Sequence, residues 1–168
     1  MTHRNTFGLT KWDKRFLRIA YEVADWSRDP GTRVGAVIVS DRRILATGYN
    51  GFPTGISDSV FRYEDRETKL KLTVHAEVNA ILNAAKSGAM TKGSTLYVTF
   101  PPCVNCCTAV IQSGITEVVC PDIQFAPSRW RDNFLAGEDV LQEAGICITT
   151  FDPHDFERKD ERPVSEKT

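Results

Sequence analysis

Apolar residues at Trp12, Phe16, Ile19, Val23 and Trp26 recur at spacings of four and three, which puts them on one face of an amphipathic helix and predicts that this face is core. The pattern stops at Ser27-Arg28-Asp29-Pro30-Gly31, where proline and glycine open a turn. Two short apolar runs follow, Gly35 to Val39 and Ile44 to Gly48, with Asp41-Arg42 between them. They read as a hairpin whose strands are buried on both faces. Gly48 to Gly55 is dense in residues that permit positive φ or restrict the chain, a composition that marks turns. The stretch from Asp58 to Lys71 is charged and weakly patterned, and reads as a solvated lid or a helix.

Small apolar residues at Ala76, Ala80, Ile81, Ala84 and Ala85 suit a helix from His75 to Lys86 packed closely on a sheet, ended by Gly88. Leu96 to Thr99 is a strand, Pro101-Pro102 blocks its continuation, and Cys103 to Ser113 is a second helix closed by Gly114. A strand from Thr116 to Cys120, a helix marked by Trp130, Phe134, Leu141 and Ala144, and a strand from Ile146 to Phe151 complete the pattern. Strands alternating with helices after residue 89 imply parallel pairing, whereas the earlier hairpin is antiparallel. The expected fold class is therefore α/β, with a mixed sheet of about five strands and helices on both faces. The expected organisation is a polar segment over 1–10, one domain over 11–151 and a charged, flexible tail over 152–168, in which His154 is solvated and not a ligand.

Composition narrows the setting. A chain of 168 residues, 41% hydrophobic and 26% charged, suits one well-buried domain. A formal net charge of -1 gives no global attraction to a polyanion, so a small substrate is favoured over nucleic acid. Five cysteines, three of them clustered, with no apolar secretory segment at the start, fit a reducing compartment better than a disulfide framework. No run approaches the roughly 18 apolar residues of a membrane span. A cytoplasmic protein is expected.

His75-Ala76-Glu77 and Pro102-Cys103-Val104-Asn105-Cys106 carry the candidate chemistry. A catalytic zinc ion takes three protein ligands and keeps a fourth position for water; one histidine and two cysteines fill three. Glu77, two positions from the histidine at a helix start, can reach the water without binding the metal, as a general acid/base must. Both segments begin helices, whose partial positive charge favours thiolates and hydroxide. The spacing H-x-E…P-C-x-x-C is the signature of zinc nucleobase deaminases. Buried thiols or a C-x-x-C redox pair are the alternatives, but neither accounts for the histidine or for the proline pair. Cys107 could close a structural site, yet on a helix it is turned by about 100° from Cys106 and is expected in the core.

With Ser27-Arg28-Asp29-Pro30-Gly31-Thr32-Arg33-Val34-Gly35-Ala36 and Gly48-Tyr49-Asn50-Gly51-Phe52-Pro53-Thr54-Gly55 followed by Asp58, the chain resembles the deoxycytidylate (dCMP) deaminase family over roughly residues 11 to 150. The resemblance implies a three-layer α-β-α cytidine-deaminase-like fold and conversion of dCMP to dUMP in the supply of dTTP. It implies Zn²⁺ on His75, Cys103 and Cys106, with Glu77 carrying protons from water to N3 of cytosine and on to the departing amino group. Asn50 is implied at the sugar 3′-hydroxyl and the Ala76 N–H at the base carbonyl. Ser27 and Arg28 are candidates for the phosphate, with Phe100 added to the substrate-binding set. Members of the family are commonly hexameric and regulated by dCTP and dTTP with Mg²⁺. The effector loop corresponds here to Gly48, Tyr49, Gly51, Gly55 and Asp58. The stretch Phe125-Ala126-Pro127-Ser128-Arg129-Trp130-Arg131 departs from the family pattern, and Phe125 could stack on a base or simply pack. Other readings are a deaminase of modified dCMP, of free cytidine or of tRNA adenosine, or a zinc module without catalysis. An intact Glu77 argues against the last.

Overall fold

The structure, a computed structural model, describes residues 8–156; the first residues of the expected polar segment and most of the expected tail lie outside the described residues. Helix α1 (Lys11–Ala24) opens with a capping box in which the Thr10 hydroxyl accepts the Asp13 N–H and the Asp13 carboxylate accepts the Thr10 N–H. This satisfies donors that the first helical turn cannot. Its core-facing residues are Phe16, Leu17, Ala20, Val23 and Ala24. Trp26, expected on this face, is 59% exposed because the helix has already ended, and its ring meets the edge of Tyr49.

Strands β1 (Gly35–Ser40) and β2 (Arg43–Tyr49) pair antiparallel, with Ser40 opposite Arg43. Asp41 and Arg42 connect them with φ of 50° and 61°. Positive φ at both central residues is the turn geometry that matches the twist of paired strands. Burial of both strands on both faces holds for β1 only. β2 is an edge strand, and Ile44 is 43% exposed.

The charged stretch after the loop resolves into two short helices, α2 (Val60–Glu64) and α3 (Arg66–Leu72), broken at Asp65, whose side chain caps α3. Helix α4 (Ala76–Ser87), strand β3 (Thr95–Val98), helix α5 (Val104–Gln112) and strand β4 (Glu117–Pro121) follow. Two 3₁₀ turns (Ile123–Phe125 and Ser128–Trp130) then lead into α6 (Arg131–Glu143) and β5 (Cys147–Phe151). The sheet order is β2-β1-β3-β4-β5. β1 is antiparallel to both its neighbours, and β3, β4 and β5 run parallel. The expected mixed sheet is present, with helices on both faces.

On one face Ala36, Ile38, Leu96, Val98, Val118 and Ile148 meet the buried residues of α4, α5 and α6. On the other, Val37, Val39, Tyr97 and Val119 meet Phe16, Leu17 and Ala20 of α1. Gly35 and Gly48 set how closely helices approach the two faces: a Cβ on Gly35 would lie 2.0 Å from the Ala20 carbonyl oxygen, and one on Gly48 2.3 Å from the Ala80 nitrogen. The tail expected to be free from Asp152 begins with a 3₁₀ turn (Pro153–Phe156) whose Phe156 ring packs on Phe151 and Tyr21. His154 bonds locally with Asp152 at 2.6 Å and meets the edge of Phe125.

Candidate metal centre and active site

His75 and Cys103 occupy equivalent places. Each is the residue before a helix, with extended backbone (φ -71°, ψ 156° and φ -71°, ψ 162°), and neither side chain closes a cap on its own helix. Imidazole and thiol are thus left to face each other across the gap between the α4 and α5 starts. Val74, just before His75, is pinned by reciprocal hydrogen bonds with Gly51, and Pro101-Pro102 precedes Cys103. The Nδ1 of His75 lies 3.5 Å from the Cys103 sulfur and 3.3 Å from the Cys106 sulfur, and all three ligand atoms fall within 4.8 Å of one another. Zn–S of about 2.3 Å and Zn–N of about 2.0 Å at a tetrahedral angle would separate N from S by about 3.5 Å. The donor set and its spacing fit zinc. Among the described residues this is the single His/Cys/Asp/Glu group of metal-binding geometry.

Cys107, as expected, is turned away. It is fully buried, its sulfur lies 3.6 Å from the Pro102 carbonyl, and burial pushes its thiol up to about 12. Cys103 is the more acidic thiol, held low by a hydrogen bond from Cys106 and by His75, while Cys106 is raised by sharing that proton. The interaction with Cys103 raises the His75 imidazole against the opposing effect of burial. Glu77 is 4% exposed, and burial pushes its carboxyl up to about 7, against the pull of its own N–H and of His75. A carboxyl poised there is suited to taking and giving protons near neutrality.

These groups border a cavity of about 340 Å³. Asn50, Ala76 and Phe100 line it together with His75, Glu77 and Cys103. Ser27 and Arg28 do not. The buried Ser27 hydroxyl donates to the Asn50 carbonyl (2.7 Å), and the exposed Arg28 pairs with Asp58 at 3.6 Å. The Asn50 side chain braces the 29–34 loop, accepting the Val34 N–H (2.7 Å) and donating to the Thr32 carbonyl (2.9 Å). Asp29, 3% exposed, accepts from Gly31, Thr32 and the Lys69 ammonium, the last at 2.7 Å. Lys69, Arg129 and Asn133 line the cavity and were not singled out by sequence. They sit on segments with no motif, and Lys69 meets Asp29 across forty residues. Phe125 lies outside this cavity. It borders a second one, of about 420 Å³, which shares Phe100 and Pro101 but holds none of the metal-type ligands.

The loop residues divide. Gly48 is buried beneath α4, and the N–H groups of Asn50 and Gly51 bond to Val34 and Val74. Tyr49 and Gly55 are exposed. Asp58 accepts the Tyr63 hydroxyl at 2.7 Å, and Tyr63 stacks on Phe52.

Residues 10–121 match the family model described as the cytidine and deoxycytidylate deaminase zinc-binding region. The chain belongs to this family. It is 42% identical to an uncharacterised deaminase in the luxG 3′ region of Aliivibrio fischeri over 142 residues, covering 84% of this chain and 94% of the relative. It is 35% identical to the human deoxycytidylate deaminase over 165 residues, covering 91% and 90%. A crystal structure of dCMP deaminase from the cyanophage S-TIM5 in complex with dCMP and dUMP superimposes with a TM-score of 0.66 at 27% identity, covering 85% of this chain and 99% of that one. The matched region takes in His75, Glu77, Cys103 and Cys106 and stops before Arg129 and Asn133. No helix among the described residues is long and apolar enough to cross a membrane.

Proposed function

We propose that this enzyme hydrolyses dCMP to dUMP and ammonia, with zinc held by His75 Nδ1, Cys103 and Cys106. The observation that carries the reading is a buried Glu77 beside a zinc-spaced His/Cys/Cys triad on the wall of a nucleotide-sized cavity. Zinc, when bound there, acts as a Lewis acid that lowers the pKa of a water to about 7. Glu77 accepts one proton of the water whose oxygen adds to C4 and passes it to N3; it then takes the remaining proton from the new C4 hydroxyl and delivers it to the 4-amino group, so that the C4–N4 bond breaks to give ammonia and the C4 carbonyl. We assign the Ala76 N–H, at the start of α4, to the base carbonyl, and Phe100, whose ring meets Phe134 edge-on, to the flat of the base. Asn50 serves the sugar 3′-hydroxyl, with its amide already oriented by Val34 and Thr32.

For the phosphate, Arg129 on the cavity wall is better placed than Ser27 and Arg28, which lie outside it, and its guanidinium suits bidentate pairing. Exposed Val60, Phe61 and Leu70 on α2 and α3 support a homo-oligomer, for which a hexamer is the proposed state. dCTP activation and dTTP inhibition with Mg²⁺ are assigned to the loop, at exposed Tyr49 and Gly55 and at half-buried Asp58. The five free thiols support a cytoplasmic setting.

A product assay with dCMP, deoxycytidine, dCTP and a tRNA anticodon stem tests the substrate; deamination of any of the others in preference to dCMP overturns the assignment. Turnover against dCMP concentration with and without dCTP and Mg²⁺ tests regulation, which requires that a sigmoidal curve become hyperbolic. Superimposable curves would remove the regulatory part alone.

A further inference from the structure

Helix α5 presents a problem that its own residues do not solve. Its first intrahelical bond runs from the Cys107 N–H to the Cys103 carbonyl (2.9 Å), so the N–H groups of Val104, Asn105 and Cys106 have no partner within the helix. A side chain before a helix accepts from the second or third of these N–H groups, not from the first. Cys103 stands in that position, with its sulfur facing His75. The first group, the Val104 N–H, therefore needs an acceptor from another part of the chain.

It comes from α6. The Oδ1 of Asn133 accepts the Val104 N–H at 3.1 Å. Because the partner is a donor, the amide oxygen must be the atom on that side. One turn further along the same face is Gly137, where an added Cβ would lie 2.9 Å from the Cys107 sulfur, 3.1 Å from the Pro102 carbonyl oxygen and 3.4 Å from the Val104 nitrogen. Glycine weakens a helix interior, and at this position it allows α6 to rest directly on the turn from Pro102 to Cys107. Phe134, buried and edge-on to Phe100, fixes the same segment of α6 against the cavity wall.

We propose that Asn133 is a positioning residue for the zinc site. By capping α5 from α6 it holds the Cys103–Cys106 turn in the orientation that keeps both sulfurs 3.3 to 3.5 Å from the His75 Nδ1. The inference rests on the zinc reading above. The Asn133 side chain bonds to the Val104 N–H and to no atom of the triad, so its removal acts through the helix start.

The test is competition for zinc between the purified full chain and a chromophoric chelator. Asn133→Ala removes the acceptor and should raise the zinc dissociation constant about tenfold, the lower end of what loss of an outer-shell partner does to metal affinity. Asn133→Asp keeps an oxygen at the same reach and should stay within about threefold of the parent, well inside that range. Zinc binding by Asn133→Ala equal to the parent overturns the proposal, as does equal weakening in the Ala and Asp variants. If Asn133→Ala does not fold, the Asp variant decides alone, tight zinc binding supporting the role and loss overturning it. A parent chain that binds no zinc would overturn the metal reading as well, and so is distinguishable from failure of this proposal.

Discussion

Replacing Gly48 by alanine adds one methyl group where the structure has no room for it. The new Cβ would lie 2.3 Å from the Ala80 nitrogen, 2.4 Å from the Ala76 carbonyl oxygen and 2.9 Å from the Ala80 Cα. Contact at van der Waals distance needs about 3.5 Å, so the deficit is on the order of 1 Å. The opposing atoms are α4 backbone, which cannot rotate aside as a flexible side chain would. Overpacking of a core by a methyl group costs about 1–3 kcal/mol, and this geometry calls for the top of that range, about 3 kcal/mol. For a chain of this size that corresponds to a fall in Tm of about 6–12 °C. The helix that must move also carries Glu77 and follows His75. A displacement of about 1 Å at a reacting group can cost about 100-fold in turnover, so dCMP deamination should fall by that order even in the folded fraction.

Gly51→Ala is the internal control, because its Cβ would meet the Tyr49 ring at 3.9 Å, an ordinary contact. It should stay within about 0.5 kcal/mol of the parent. Thermal and urea denaturation of the three proteins, with turnover measured well below each midpoint, decides the matter. Equal stability of the Gly48 and Gly51 variants would refute the view that α4 is seated on the missing side chain.

Three other outcomes are expected. Glu77→Gln should retain zinc and the fold while turnover drops by about 10²- to 10⁴-fold, since only proton transfer is removed; turnover near the parent value at saturating dCMP would eliminate Glu77 as the proton carrier. Cys106→Ala should lose zinc by elemental analysis whereas Cys107→Ala should keep it, and the reverse would show the ligands misassigned. Lys69→Met removes the cationic partner of the 3%-exposed Asp29, which retains only the Gly31, Thr32 and Asn50 donors. It should destabilise by about 1.5–3 kcal/mol in urea titration, the range for a hydrogen bond to a charged group; an unchanged midpoint would mean that solvent replaces the ammonium without cost.

Elements with a strong internal period, and motifs whose members lie a few residues apart, were legible in the chain alone. The five strands, their alternation with helices and the antiparallel start of the sheet follow from local pattern, because side-chain periodicity is a property of each element by itself. The His/Cys/Cys set was legible for a related reason. His75 and Cys103 each precede a helix and Cys106 lies in the first turn of α5, so a short motif carries most of its own geometry.

What a segment meets at long range was decided by the tertiary structure. Periodicity put Trp26 with the core residues of α1, but the helix ended before it and left it outside. The apolar run of β2 is equally consistent with a central strand, and only the sheet order makes it an edge. Ser27 and Arg28 adjoin a promising loop, yet the path of the chain turns Ser27 inward to the Asn50 carbonyl and Arg28 outward to Asp58. Lys69 reaches Asp29, Asn133 reaches Val104, and Gly48 lies under Ala80 across separations of 40, 29 and 32 residues. Such contacts form only after the intervening chain has folded back, and no local pattern in any one of these segments names its partner.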